Sequence, residues 1–316
     1  MLETKSNCPA IEVSQLELRL GRKPILHDVS LRVETGSLYG LLGRNGAGKT
    51  TTMRAALGLQ SFVSGSIKLF GHDVSSIHQL PQLLGVALDP PGLDDTLSVR
   101  QNLELARIRG GIVGGRSVDD VLEIVALTHR QHNYGSRLSH GQGRRAAVAR
   151  ALLGNPELLL LDEPLSGLDP QGVERMLDLF QTLSRDEGKT VVLSSHHLRE
   201  VQHVCTHVGL IDDGHTLLEG KTTDLLATMP SHLEVHTADA AGVAKVLAGS
   251  DVSEIIITDQ VVTGVVDAQF HREPVLKSLL AAGLPVAEFF VKPSSLVDVF
   301  QDAVDTYDKQ QQEVHV

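Results

Sequence analysis

No tryptophan occurs among the 316 residues, and aromatic side chains make up only 3% of them. That scarcity argues against a surface that stacks nucleic-acid bases. The two cysteines, Cys8 and Cys205, are too few for a disulfide framework or a zinc quartet and fit a reducing, cytosolic compartment. No apolar run approaches the ~20 residues that span a bilayer. The opening stretch "MLETKSNCPAIEV" lacks the apolar core of a secretory signal. Work at a membrane would therefore need another chain to supply the spanning part. Positive charge is short as well: 28 Lys and Arg stand against 39 Asp and Glu, a net of −11. The deficit is concentrated in residues 225–316, with 13 acids and 5 Lys or Arg. No basic face points to a nucleic-acid partner.

What is present is the composition of a folded protein, 41% hydrophobic and 21% charged, with length for roughly two domains. Residues 1–10 read as a flexible tail. "IEVSQLELRL", "VSLRVE", "SLYGLL" and "GSIKLFG" read as strands, with a turn at 34–36. Residues 96–135 switch to helical spacing. Ser98 with Gln101, and Ser117 with Asp120, form N-cap pairs on either side of the glycine-rich "RGGIVGGR". "ELLLLD" and "TVVLSS" are buried strands separated by a helix at about 170–187. Strands alternating with helices predict a parallel sheet with helices on both faces. From about residue 225 the order becomes β-α-β-β-α-β, a ferredoxin-like arrangement. A last helix from Ser294 ends in the polar "DKQQQEVHV".

The strongest chemical signal is "GRNGAGKTT": Gly43, Arg44, Asn45, Gly46, Ala47, Gly48, Lys49, Thr50 and Thr51. It fits the phosphate-loop pattern and lies between an apolar strand and a helix. Its glycines let backbone N–H groups wrap phosphate oxygens. Lys49 would meet the β- and γ-phosphates, and the Thr50 hydroxyl would meet Mg²⁺. The plain alternative is a glycine-rich turn with a stray lysine. A second signal is "LLLLDEP", an apolar strand with two acids at its carboxyl end, where open α/β sheets bind ligands. Asp162 suits the Mg²⁺ shell and Glu163 suits a base for the attacking water, against a solvated acidic turn. His196 ends the next strand and could face the same edge, although a lone histidine is more often packing. "HVCTH" reads as helix, on which His203 and His207 are four residues apart and could chelate a metal.

"RLSHGQGRRAAVARALLGNP" admits two readings. Ser139 and Gln142 make a capping box ahead of an apolar face, which needs no ligand. Gly141 and Gly143 in the first turn, together with the positive end of the helix, would also suit an anion.

The ordered motifs at 43–51, 138–142, 158–163 and 166–169, followed by His196, resemble those of ABC-transporter ATPase subunits over about residues 11–222. That resemblance implies an α/β fold, a P-loop NTPase (RecA-like) core with an antiparallel β subdomain and a helical subdomain at about 85–153. The nucleotide-binding domain would span 11–224, a small α+β ferredoxin-like domain 225–308, and a tail 309–316. The single ATPase domain with this C-terminal part resembles drug, antibiotic or bacteriocin-immunity exporter subunits whose permease is a separate chain. ATP and Mg²⁺ are the implied cofactors, and Lys49, Glu163 and His196 the implied catalytic residues.

The segment Leu138, Ser139, His140, Gly141, Gln142 would serve the ATP of a partner chain, which implies a homodimer in the ATP-bound state. Asp169 falls at the D-loop. The implied location is peripheral, on the cytoplasmic face of the cell membrane. Three positions depart from the family: His140 replaces the first signature glycine, Asp89 stands at the Q-loop glutamine, and Leu20 replaces the aromatic that stacks adenine. A soluble ABC-type ATPase acting on ribosomes or nucleic acid is the alternative. The short gap between the phosphate loop and the signature, without a coiled coil, and the acidic C-terminal part speak against it.

Overall fold

The computed structural model describes residues 8–80, 83–267 and 270–314, in two compact units, Met1–Lys221 and Thr222–Val316. The first unit opens with a hairpin, β1 (Ile11–Leu20) and β2 (Lys23–Val33), whose alternating buried and exposed residues suit a sheet with one covered face. Strand β3 (Leu38–Leu42) is apolar and wholly buried, and leads through the glycine-rich loop into α1 (Lys49–Ala56). Then follow β4 (Ser64–Leu69), the short β5 (His72–Asp73) and β6 (Leu84–Ala87). Helices α2 (Val99–Arg109), α3 (Val118–Ile124) and α4 (His140–Leu152) come next. Each begins with a complete capping box, at Ser98–Gln101, Ser117–Asp120 and Ser139–Gln142. Such a cap contributes about 1 kcal/mol. The unit closes with β7 (Leu158–Leu161), α5 (Pro170–Arg185), β8 (Thr190–Ser195), α6 (Leu198–Val201), β9 (His207–Asp212) and β10 (His215–Lys221).

Ten strands form one sheet in the order β5-β4-β1-β2-β10-β9-β3-β8-β7-β6. Strands β9, β3, β8, β7 and β6 run parallel, and β1, β2, β4 and β5 form an antiparallel arm. The four leucines of β7 are each at most 1% exposed, as a strand covered on both faces requires. Strands β3, β8 and β7 are consecutive neighbours, with Leu42 beside Ser195 and Leu161 beside Leu193. Their carboxyl ends therefore lie in a row, about 4.8 Å apart.

The second unit contains α7 (Thr222–Thr228), β11 (Ser231–His236), α8 (Ala240–Leu247), β12 (Ser253–Thr258), β13 (Val261–Val266), α9 (Arg272–Ala281), β14 (Glu288–Lys292) and α10 (Leu296–Val314). From β11 to β14 the element order is the β-α-β-β-α-β read from the sequence, and the sheet order is β12-β13-β11-β14. Val243 and Leu247 of α8 and Val275 and Leu279 of α9 pack with Leu233 and Val235 of β11 in its core.

Four expectations change. Ala10 is fully buried and its N–H bonds Val33 O at 2.8 Å, so the described end of the 1–10 segment belongs to the sheet; residues 1–7 lie outside the described residues. Residues 84–87, at the start of the helical subdomain expected at about 85–153, are instead the sheet's edge strand, drawn straight by pairing with β7. Residues 309–314, read as tail, continue α10, because Lys and Gln are good helix formers. Residues 203–207 are not helical. The α6 helix stops at Val201, His203 lies in an exposed turn and His207 starts β9, so the pair lacks the one-turn spacing that chelation needs. No group of three or more His, Cys, Asp or Glu residues among the described residues forms a metal cluster.

Candidate active site

The loop after β3 is fixed by glycine at two points. A Cβ at Gly43 would lie 2.0 Å from Ile211 O. Gly48, the residue before α1, has φ +109, and a Cβ there would lie 2.5 Å from Leu26 Cδ2. Larger residues would push the loop off the sheet. Lys49 is 6% exposed and folds back across the loop, donating to Gly43 O at 2.7 Å and Arg44 O at 3.1 Å. Its ammonium also lies 3.5 Å from Glu163 Oε1. Arg44 is ion-paired to Asp212, and Gly214 N–H donates to Ala47 O, so the β9–β10 turn braces the loop from the side.

Two acids follow β7. Asp162 Oδ1 accepts from Thr50 Oγ1 at 3.0 Å and from Ser194 Oγ at 2.6 Å. Its Oδ2 is buried and has no hydrogen-bond partner among the described residues. A buried carboxylate oxygen without a donor is costly unless a cation meets it. The Thr50 hydroxyl and the Asp162 carboxylate are hard oxygen donors of the kind Mg²⁺ takes. Glu163 has φ +48, a left-handed conformation that costs a non-glycine residue about 1–3 kcal/mol. The turn swings its carboxylate between two partners, Lys49 at Oε1 and His196 Nδ1 at 2.9 Å from Oε2. Its own N–H is held by Ser194 Oγ at 2.9 Å.

Asn45, Gly46, Ala47, Gly48, Lys49, Thr50, Thr51, Asp89 and Glu163 line one cavity. His196 reaches it through Glu163. The signature residues do not line it. Ser139 and His140 lie exposed at the start of α4, where Ser139 Oγ accepts Gln142 N–H at 3.3 Å. Gly141 is buried: a Cβ there would meet Gly167 O at 2.6 Å. Leu138 is half-buried beside them. The His140 ring packs against Gly167, where a Cβ would lie 2.4 Å from its Cδ2. Asp169 caps α5 by accepting Gly172 N–H at 2.9 Å and is exposed. Leu20 ends β1 and is 46% exposed.

Two functional contacts escape the sequence reading. Ser194 positions both acids; its signal was a buried hydroxyl near the carboxyl end of β8. Arg144 is 3% exposed and meets Asp89 Oδ1 at 2.8 Å; its signal was an arginine on the buried side of α4.

A family model described as "ABC transporter" matches residues 26–166. The bacitracin transport ATP-binding protein BcrA of Enterococcus faecalis is 36% identical over 242 residues, covering 76% of this chain and 78% of that protein. This chain belongs to the ABC transporter ATP-binding family. The linearmycin resistance ATP-binding protein LnrL of Bacillus subtilis is 30% identical over 279 residues, 86% of this chain and 89% of that protein. Among solved structures, an ATP-binding subunit of an ABC transporter aligns with a TM-score of 0.63 at 25% identity, over 69% of this chain and 92% of that one. The dimeric cassette MJ0796, in a post-hydrolysis state bound to ADP and Pi, shares the fold with a TM-score of 0.61 at 23% identity, over 67% of this chain and 98% of that one. The protein is thus an ABC ATPase that binds ATP with Mg²⁺ and serves a transporter. No helix among the described residues is long and apolar enough to cross a membrane.

Proposed function

We propose that this ABC ATPase drives a separate integral-membrane permease, and that it hydrolyses ATP at two composite sites of a head-to-tail homodimer. The chain sits at the cytoplasmic face of the membrane and powers export of an antibiotic-like, peptide or lipid-like compound. The cargo class follows from relatives named for bacitracin transport and linearmycin resistance. One observation carries the composite site. Ser139, His140 and Gly141 stand at the start of α4 outside the cavity that holds Lys49 and Glu163. The Ser139 O–H and the Gly141 N–H would therefore serve another chain's nucleotide rather than this one's, with the positive end of α4 behind them.

Within a site, Lys49 leaves Glu163 for the β- and γ-phosphates, and the loop N–H groups hold the remaining oxygens. Thr50 and Asp162 would hold Mg²⁺, which would offset charge on the phosphates. Glu163 accepts the proton of the attacking water, and His196 fixes its carboxylate and assists its charge change. Ser139 of the opposite chain stabilises the transferring phosphoryl group. Asp169 stands beside that segment on the dimer face.

The test is Glu163→Gln with Mg²⁺ and ATP on size-exclusion chromatography with light scattering. A stable dimer that co-purifies with an integral-membrane chain of about six apolar helices supports the reading. A nucleotide-loaded monomer, or recovery with ribosomes instead, overturns it.

A further inference from the structure

The wall of the nucleotide cavity carries a carboxylate whose charge is cancelled from behind. Asp89 lines the cavity together with residues 45–51 and Glu163. Its Oδ1 lies 2.8 Å from Arg144, whose side chain is 4% exposed against 48% for Asp89. The Arg144 Nε has no hydrogen-bond partner among the described residues. A buried guanidinium with an unfilled donor is expensive, and removal of the Asp89 carboxylate would leave it uncompensated.

Arg144 is not needed to hold the Asp89 loop in place. Arg150, six residues further along α4, donates to Gly92 O at 2.7 Å and Pro91 O at 2.8 Å. Arg54 donates to Asp89 O at 3.0 Å. Those contacts grip the backbone whatever side chain stands at 89. Among the described residues, Arg144 is the cation that reaches the carboxylate.

The charges facing the cavity explain why that matters. Glu163 already supplies one carboxylate at the wall and Asp162 a second, buried behind Thr50, while Lys49 is shared with Glu163 at 3.5 Å. A free third carboxylate would repel the polyphosphate and compete for Mg²⁺. We propose that Arg144 is a positioning residue that neutralises Asp89, so that the pair presents the nucleotide with a wall of no net charge. Arg144 belongs to α4, the helix that Ser139 caps. The proposal rests on the nucleotide reading of this cavity.

The test measures Mg²⁺–ATP affinity by calorimetry in the Glu163→Gln background, where turnover does not interfere. Arg144→Met keeps the apolar stem and removes the charge. It should weaken binding by about five- to tenfold in low salt, as expected of one unscreened like charge near the site. That deficit should shrink in high salt, where the Debye length falls to about 3 Å. Asp89→Gln alone leaves the Arg144 charge uncompensated beside the phosphates and should tighten binding. The double variant should return to within about twofold of the parent, since charge is balanced again.

A purely structural Arg144 would behave otherwise: both single variants would weaken binding, the double would be no better, and salt would not help. That pattern, or unchanged affinity in Arg144→Met, overturns the proposal. Should Arg144→Met fail to fold, the sign for Asp89→Gln decides, with tighter binding supporting the proposal and unchanged or weaker binding overturning it. A parent protein that binds no Mg²⁺–ATP would instead overturn the cavity's nucleotide reading, and this inference with it.

Discussion

Ser194 Oγ donates its hydrogen to Asp162 Oδ1 at 2.6 Å and itself accepts the Glu163 N–H at 2.9 Å. One side chain on β8 thus orients the acid that suits Mg²⁺ and fixes the backbone of the acid that suits the water. The arrangement is possible because β7 and β8 are adjacent and parallel, so their carboxyl ends coincide. Loss of a partner behind a metal ligand commonly costs 10–100-fold in affinity or activity. Ser194→Ala should therefore raise the Mg²⁺ concentration for half-maximal ATPase activity by about tenfold or more. An Mg²⁺ titration at fixed ATP checks this. An unchanged midpoint would mean that Thr50 alone orients Asp162.

Glu163→Gln should lower kcat by about 10²–10⁴-fold, the usual contribution of a positioned base. Affinity for ATP should hold or rise. Lys49 is ion-paired to Glu163 in the free protein, and the amide no longer competes with phosphate for that ammonium. Single-turnover kinetics with a separate binding measurement resolve the two effects. A variant that turns over at the parental rate removes Glu163 from the role of base.

The parts of this molecule that a sequence can show are those set by neighbours in the chain. The phosphate loop, the acids after four leucines and the three capping boxes each need only a short stretch, and each stands where its spacing placed it. Other parts depend on distant partners. Leu84–Ala87 is too short and irregular to show a period; pairing with β7 makes it a strand. The run from His203 to His207 looks helical, yet His207 pairs beside Tyr39 of β3, and that pairing ends the helix early. The Arg144–Asp89 ion pair joins residues far apart in the chain, and no local pattern announces it.

Leu20 ends β1 with its side chain 46% exposed, where the family resemblance places a base-stacking ring. An aliphatic side chain offers contact area but no π face. ATP and GTP should then bind with similar affinity, and Leu20→Tyr should favour ATP by about two- to tenfold, the usual gain from an aromatic contact. Competition against a fluorescent nucleotide measures both. A strong preference for ATP in the parent would show that another side chain grips adenine.

Burial pushes the Cys205 thiol up to about 12, while Cys8 is only half-buried. The thiolate is the reactive form, so Cys205 should be inert at neutral pH. A maleimide reagent should modify Cys8 first, and Cys205 only after unfolding. Mass spectrometry of the labelled protein reads the order. Fast labelling at Cys205 in the native chain would mean that the contacts around β9 open readily.

The placement of Ser139 allows the composite site to be divided between two defective chains. Lys49→Ala removes the ammonium that folds over the phosphate loop and should abolish nucleotide binding. Ser139→Arg leaves that loop untouched, because Ser139 lies outside the cavity, and should block the partner's site by bulk and charge. Each homodimer should be nearly inactive for a different reason. In a mixed dimer one site carries both lesions, while the other pairs an intact phosphate loop with an intact signature. If single sites turn over independently, mixing should restore up to a quarter of the parental rate, since half the dimers are mixed and each has one sound site. Strict cooperation between sites would keep the mixture silent, so the decisive measurement is nucleotide affinity of Ser139→Arg at protein concentrations where it is a monomer. Affinity equal to the parent's places Ser139 at a partner's nucleotide. Lost affinity would place Ser139 at its own chain's nucleotide, or make it necessary to the start of α4, and the composite-site reading would then be wrong.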